Sequence, residues 1–241
     1  MHPVNRALRR VDLHLARWRT TVRARRVMLL ASLSISQLVD VGANEGQYAL
    51  DLRECGYRGR IISCEPLLAA YEVAVAAARS DPDWTVHRIA LGSHDGEVEL
   101  GVSGFNQYSS LLPPTSEMAA TDTRAATIRK ERVPVATLDE FVADNCDSSP
   151  LGLKIDAQGA EWMILDQGAA VLDRARFVEL ELSPEPLYEG EATMTEMLAR
   201  MDAASFTLEL VENDSMALHG KTLQVNGLFV RRQAATHQSI V

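Results

Sequence analysis

Four ionisable side chains lie at the ends of two apolar runs in the second half of the chain. Lys154 and Asp156 end the run LGLKID, and because they are two residues apart they share one face of a strand. Glu181 closes the next apolar run, FVELEL, and Glu161 lies in the first turn of a predicted helix. Because the carboxyl ends of parallel strands meet at one edge of a sheet, we expect all four side chains around one catalytic site.

This set permits two kinds of chemistry that remove a proton from a substrate hydroxyl group. In the first, Asp156 and Glu181 hold a divalent ion such as Mg²⁺, which proteins bind through one or two carboxylates and which acidifies a coordinated hydroxyl. In the second, one carboxylate acts as the base, and Lys154 either keeps that carboxylate ionised or orients the substrate hydroxyl group. The structural alternative is a buried Lys154–Asp156 ion pair that holds the strand end, with Glu161 as a favourable charge at a helix N-terminus.

A glycine turn follows the first apolar run, within VDVGANEGQY (residues 39–48). In a doubly wound sheet such a turn is a ligand site, because helix N-termini and strand ends converge there. Gly42 and Gly46 are spaced G-x-x-x-G, so the middle glycine of the dinucleotide fingerprint is missing, and no P-loop sequence occurs. Asp40 beside the turn would repel phosphate and attract an ammonium group.

Glu65 ends the second apolar run, 19 residues after Gly46. An acidic side chain at that place can accept hydrogen bonds from both hydroxyls of a ribose. Together with Asp40, it indicates a nucleoside that lacks phosphates and carries an amino-acid-like ammonium group. S-adenosylmethionine has this chemistry. The structural alternative is a tight turn that binds nothing.

Alternating apolar runs and helical stretches must position these residues, and this order predicts a parallel sheet covered on both faces. The predicted strands are 37–41, 60–65, 85–90, 151–156, 177–182, 206–211 and 223–230, with shorter strands at 97–102 and 131–135. The predicted helices are 47–55, 67–79, 159–172 and 193–203. Residues 103–130 interrupt this order, which is typical of a functional loop, and Tyr108, Ser109 and Ser110 are candidates for a lid.

The charge distribution is uneven: residues 1–26 carry +7, whereas the rest of the chain carries −16. A body this acidic repels nucleic acid. Apolar residues at positions 4, 8, 11, 15, 18 and 22 predict one face of a helix, which either packs on the domain or on a second subunit with its arginines solvated, or makes a weak contact with a membrane or another anionic surface. Three cysteines without paired spacing and the lack of an apolar run long enough for a membrane helix predict a cytoplasmic protein.

Four blocks over residues 36–182 carry a resemblance to a known family: VDVGANEGQY, GRIISCEP, ALGSHDGEVEL and VATLDEF followed by LKIDAQGAEWMIL. In order and spacing they resemble the FkbM-type methyltransferases. These enzymes transfer a methyl group from S-adenosylmethionine to hydroxyl groups of sugars and natural products. The basic helix and residues 103–130 fall outside the closely matching blocks, so we expect them to decide the substrate.

The resemblance implies an α/β fold, a three-layer doubly wound Rossmann-like sheet of about seven strands with the last antiparallel, plus an N-terminal helix. The methyltransferase domain would span 36–233, between a basic segment (1–35) and a tail (234–241). The cofactor would be held by Asp40, Gly42, Ala43, Asn44, Gly46, Glu65, Pro66, Ala90 and Leu91. We expect O-methylation of a sugar or glycosylated metabolite. A polyketide-like acceptor is the alternative, and a nicotinamide-dependent oxidoreductase or a non-catalytic scaffold is less favoured.

Overall fold

The computed structural model describes residues 21–213, 217–218 and 221–232. The strands are β1 (Gln37–Val41), β2 (Arg60–Cys64), β3 (Trp84–His87), β4 (Ala90–Leu91), β5 (Gly96–Ser103), β6 (Thr127–Ala136), β7 (Leu151–Ile155), β8 (Ala175–Leu182), β9 (Phe206–Asn213), β10 (Ala217–Leu218), β11 (Lys221–Thr222) and β12 (Val225–Arg231). The α-helices are α1 (Val22–Ser32), α2 (Gln47–Glu54), α3 (Leu68–Ala78), α4 (Ser116–Thr121), α5 (Leu138–Asn145), α6 (Glu161–Asp166), α7 (Ala169–Arg174) and α8 (Met194–Ala203).

Seven strands form one sheet in the order β3-β2-β1-β7-β8-β12-β9. Neighbours from β3 to β8 pair in parallel, and β12 is antiparallel to both β8 and β9. This confirms the predicted seven-stranded Rossmann-like sheet with an antiparallel last strand. The chain order reverses between β1 and β7, which is the switch point where doubly wound sheets bind their ligands.

Helices cover both faces of this sheet. The central strands β1 and β7 are buried along their whole length, as expected of parallel strands in a three-layer fold. Leu38 packs into a core with Leu30 of α1 and Leu52 of α2, whereas the next residue, Val39, belongs to the opposite core with Ile164 of α6. Because successive side chains of a strand point to opposite faces of the sheet, a single strand contributes to the apolar core on both sides.

Two predicted elements differ from the structure. The predicted strand 85–90 divides, because the chain leaves the main sheet after β3 and β4 pairs instead with β6 in a small sheet of order β4-β6-β5. The predicted helix 159–172 divides into α6 and α7 at Gly168. A Cβ at Gly168 would lie 2.4 Å from Leu138 Cδ2, so the close approach of α5 favours glycine and a break at this point.

The segment between β5 and β6, residues 104–126, is called the insertion below. It is less irregular than expected, since it contains α4 and two 3₁₀ turns, Asn106–Tyr108 and Thr123–Ala125. Its buried residues Tyr108 and Met118 form a small separate core with Leu187 and Tyr188. The insertion is therefore a folded wall that is anchored to the loop after β8.

Helix α1 belongs to the predicted basic segment, whose positions 4–18 lie outside the described residues. Arg25 is exposed as predicted, but Arg26 is only 4% exposed, so the expectation that the arginines are solvated is wrong for Arg26. Its guanidinium group donates to both carboxylate oxygens of Glu179, at 2.8 and 2.7 Å, and also contacts Glu212. Among the described helices, none is long and apolar enough to cross a membrane. The contacts predicted for residues 1–26 with a second subunit or an anionic surface, and the domain boundaries, stay predictions.

We expect Arg26→Met to lower the free energy of unfolding by about 3–5 kcal/mol, because it leaves two carboxylates near the core without their cation. The matched control is Arg25→Met one residue away on the exposed side of α1, which should change the stability by less than about 0.5 kcal/mol. Urea unfolding followed by circular dichroism measures both. Equal stability of the two variants would show that the buried ion pair does not hold α1 on the domain.

Candidate active site

The turn after β1 brings the backbone of two strands into contact. Gly42, Asn44 and Gly46 have φ values of 75°, 47° and 87°. A Cβ at Gly42 would lie 1.8 Å from the backbone oxygen of Asp156, so only glycine permits this approach of the turn to the end of β7. The turn is further fixed by the amides of Gly42 and Ala43, which both donate to the carbonyl of Cys64 at 3.0 Å.

Glu65 follows β2 directly and faces the same turn. Its Oε2 accepts the backbone N–H of Asn44 and its Oε1 accepts that of Leu67, both at 2.8 Å. Burial raises the pKa of Glu65 to about 7. The carboxylate is thus held in one orientation, and each oxygen retains a lone pair for a further hydrogen-bond donor.

A cavity of about 760 Å³ opens between the carboxyl ends of the strands and the insertion, a size typical of small-molecule sites. It is lined by ten of the thirteen residues predicted for the site: Gly42, Ala43, Asn44, Glu65, Pro66, Ala90, Leu91, Lys154, Asp156 and Glu181. The residues of the glycine turn, Asp156 after β7 and Glu181 in β8 therefore share one cavity, although more than a hundred residues separate the turn from both carboxylates in sequence.

Asp40, Gly46 and Glu161 do not line this cavity. Gly46 packs behind the turn, where a Cβ would lie 2.7 Å from the Trp84 ring. Asp40 is fully buried beneath the turn. Glu161 is buried in the first turn of α6, where its Oε1 accepts the N–H of Ala157 at 2.7 Å and burial raises its pKa to about 8.

A row of buried polar side chains crosses four neighbouring strands beneath the cavity. Ser63, Asp40, Lys154 and Glu179 are successive register partners on β2, β1, β7 and β8. Asp40 Oδ2 accepts from the Ser63 hydroxyl at 3.1 Å, and its Oδ1 lies 3.2 Å from Lys154 Nζ in an ion pair without hydrogen-bond geometry. The ammonium group that Asp40 attracts in this fold is therefore that of Lys154.

Lys154 joins this row to the cavity. Its ammonium group donates to the carbonyl of Gly42 at 3.0 Å and lies 3.4 Å from Asp156 Oδ2. Burial lowers the pKa of Lys154, but Asp40 and Asp156 raise it by more, so the group stays protonated. Lys154 therefore places a fixed positive charge beside the Asp156 carboxylate.

The far end of the row is neutralised by groups from the first two helices. The Tyr48 hydroxyl donates to Glu179 at 2.7 Å, on the same carboxylate that Arg26 binds. Both Lys154 and Arg26 lie over the Tyr48 ring, at 5.4 and 5.1 Å from its centroid. These cation–π contacts help to keep two cations close together in the interior.

Gln158 had no predicted role, and its side chain lies between the carboxylates of Asp156 and Glu181. Its Nε2 donates to Asp156 Oδ1 at 3.0 Å and to Glu181 Oε2 at 2.8 Å, while its Oε1 accepts from the Tyr188 hydroxyl at 2.9 Å. Its φ of 53° is left-handed, which costs a non-glycine residue about 1–2 kcal/mol. The available signals were its place shortly after a predicted strand and the glutamine itself, because the family that the sequence resembles commonly has glutamate there.

The arrangement around Gln158 does not fit the predicted Mg²⁺ site. An amide nitrogen, itself a donor, holds the position between Asp156 and Glu181 where a shared cation would lie. Within the part of the chain that the structure describes, no group of three or more histidine, cysteine, aspartate or glutamate side chains is arranged to hold a metal ion. Asp156 accepts a hydrogen bond from Gln158, and Glu181 accepts one from Gln158 and one from Gln224.

The insertion supplies one side of the cavity. Phe105, Tyr108 and Ser109 face it, and the Arg124 guanidinium stacks over the rings of Phe105 and Tyr108 at 5.3 and 5.7 Å. Ser110 is buried instead, and its hydroxyl donates to the backbone carbonyl of Gln158 at 2.6 Å. Of the three residues predicted for a lid, two therefore line the cavity and the third anchors the insertion.

Solved structures of methyltransferases are similar to this chain at low identity. The chain is 12% identical to a precorrin-6y C5,15-methyltransferase from Geobacter metallireducens, over 92% of this chain and 95% of that one, with a TM-score of 0.47. It is 11% identical to magnesium protoporphyrin IX methyltransferase from Synechocystis with bound S-adenosylmethionine, over 95% and 91% of the two chains, with a TM-score of 0.45. The comparison with curated proteins gives no match.

The strand order and the glycine turn that opens onto the cavity place the chain in the class of doubly wound Rossmann-like proteins. The methyltransferase FkbM domain matches residues 40–208, from β1 into β9. The chain therefore belongs to the FkbM methyltransferase family, as its motifs predicted. Helix α1 and strand β12 lie outside the matched segment.

Replacing Glu161 by Gln is expected to reduce the pH dependence of stability. The folded-state pKa of about 8 exceeds the ordinary value of 4.5, so the stability that Glu161 contributes is complete below the ordinary value and is lost as the pH rises through about 8. Gln keeps an acceptor for the Ala157 N–H but does not titrate. Urea unfolding at about pH 5 and about pH 8 should show that the wild type loses on the order of 3 kcal/mol more than the variant. The same pH dependence in both proteins would exclude this buried, protonated state.

Proposed function

We propose that this protein transfers a methyl group from S-adenosylmethionine to a hydroxyl group of a sugar or a glycosylated metabolite. The observation that supports a sugar is the number of side-chain amides on the cavity wall. Besides Asn44 and Gln47 beside the glycine turn, they are Asn106, Gln107, Gln158, Asn213, Gln224 and Asn226. An amide offers both a donor and an acceptor, which is what a polyhydroxylated ring needs, whereas a polyketide-like acceptor would favour an apolar wall.

The turn after β1 and Glu65 fit the cofactor. S-adenosylmethionine supplies an electrophilic methyl group on a sulfonium. The glycine backbone of the turn leaves room for a ligand at the strand ends, and the two fixed oxygens of Glu65 can each accept a ribose hydroxyl. Ala90 and Leu91 offer an apolar surface for the adenine.

Asp156 is the candidate general base. Its side chain is one-third exposed on the cavity wall, while the Lys154 ammonium group and the Gln158 amide hold it from behind. Asp156 would accept the proton of the acceptor hydroxyl, while the bound cofactor would supply the methyl group to the acceptor oxygen and leave as S-adenosylhomocysteine once its carbon–sulfur bond breaks. A positioned base contributes about 10² to 10⁴-fold, and the alignment of the two reactants contributes more.

Glu65→Gln should weaken the binding of S-adenosylmethionine by about 1.5–3 kcal/mol, because a neutral amide replaces a charged acceptor for the ribose. In the wild type the affinity should rise as the pH increases through about 7, where the Glu65 carboxylate ionises, and this rise should be absent from the variant. Calorimetry at two pH values tests both points. Glu72→Gln, on the exposed side of α3, is the matched control and should bind like the wild type.

The function itself is tested by screening acceptors for transfer of a labelled methyl group, with monosaccharides and glycosides first. We expect transfer to a sugar hydroxyl, and an Asp156→Asn variant should lose at least about 10²-fold in kcat while its affinity for S-adenosylmethionine stays within about twofold. Asp144→Asn, on the exposed side of α5, is the control. Transfer only to apolar acceptors would overturn the sugar assignment, and full activity of Asp156→Asn would remove that residue from the mechanism.

A further inference from the structure

We propose that Gln158 is a positioning residue for methyl transfer: its side-chain amide takes the place of a shared cation between Asp156 and Glu181, and its backbone carbonyl ties this part of the site to the insertion. This inference rests on the proposed function for its effect on turnover. Its structural part does not, because the contacts of the amide exist without any acceptor.

The orientation of the amide follows from its surroundings. Nε2 lies within 3.0 Å of carboxylate oxygens on two different strands, Asp156 Oδ1 after β7 and Glu181 Oε2 in β8. Reversing the amide would place its oxygen against both carboxylates, which is repulsive, whereas the Tyr188 hydroxyl tolerates either orientation because it both donates and accepts. The nitrogen therefore faces the carboxylates, as a cation would.

Gln158 is also attached to the insertion. The Ser110 hydroxyl donates to its backbone carbonyl at 2.6 Å, and Tyr188, which bonds its side-chain oxygen, also lies 3.2 Å from the carbonyl of Tyr108. Gln158 therefore contacts both the insertion, which faces the acceptor, and Asp156, the proposed base that deprotonates the acceptor. A left-handed φ at a non-glycine residue is kept where the surrounding contacts fix it, which is common at functional sites.

Two substitutions separate this role from simple packing. Gln158→Asn shortens the amide by one methylene, so it can reach at most one of the two carboxylates, and asparagine tolerates the left-handed backbone. We expect kcat to fall by about 10²-fold with little change in the affinity for S-adenosylmethionine. Gln224→Asn is the matched control, because Gln224 Nε2 also donates to Glu181 Oε2, at 2.7 Å, but has no bond to Asp156. Its kcat should fall much less.

Gln158→Glu tests whether the amide nitrogen of Gln158 occupies the position that a shared cation would take. It places a third carboxylate between Asp156 and Glu181, a set that suits Mg²⁺. We expect millimolar Mg²⁺ to raise the thermal unfolding midpoint of Gln158→Glu and to leave that of the wild type unchanged. Its kcat should be low without Mg²⁺ and partly restored with it, whereas chelation should not affect wild-type turnover.

Three results would overturn the proposal: wild-type kcat in Gln158→Asn, an equal loss in Gln158→Asn and Gln224→Asn, or a Mg²⁺ response that is present in the wild type or missing in Gln158→Glu. If the proposed function is wrong, the experiments give a different result. In that case the wild type methylates no hydroxyl acceptor, while the Mg²⁺ response of the unfolding midpoint still reports on the position of the amide.

Discussion

The rest of the site depends on the contacts of one buried cation, the ammonium group of Lys154. A buried cation is costly unless anions and hydrogen-bond acceptors surround it, and Lys154 has Asp40 on one side, Asp156 on the other and the carbonyl of Gly42 above. These contacts join the ends of the two central strands. They also hold the glycine turn and the candidate base in one arrangement, so the two halves of the cavity are positioned by a single charge.

The charges continue beyond Lys154 and make helix α1 part of the same system. Glu179, the next residue in the row, is held by the Arg26 guanidinium and the Tyr48 hydroxyl, and its charge helps to keep Lys154 protonated by raising the pKa of the lysine. Arg26 and its second partner, Glu212, both lie outside the segment that matches the family domain. The chain therefore completes a buried charge network of the family domain with residues from its own flanking elements, and this network forms part of the cavity wall.

The cavity combines two kinds of surface with different chemical consequences. On the side of the glycine turn, backbone groups and the Glu65 carboxylate are held in fixed positions. They favour a ligand whose hydrogen-bonding groups match those positions. On the opposite side, six neutral amides line the wall together with charged side chains, and the Gln158 amide nitrogen lies between two carboxylates where a metal ion would otherwise lie. A site whose specificity depends on hydrogen bonds rejects analogues that lack a hydroxyl far more strongly than an apolar pocket rejects an extra methylene.

The sequence by itself determined the sheet, its antiparallel last strand, the family and most of the cavity, because these follow from local patterns: apolar runs, a glycine turn and acidic residues at strand ends. It did not determine which groups pair. Asp40 was expected to face the cofactor, but the strand register places it beside Lys154, 114 residues later in the chain. Glu161 was expected in the site and is buried behind it, while no local pattern marked Gln158 as the residue between two carboxylates or Arg26 as a buried arginine of its helix. The tertiary structure decided these roles, because the partner of a buried charge is set by strand register and helix packing between distant segments.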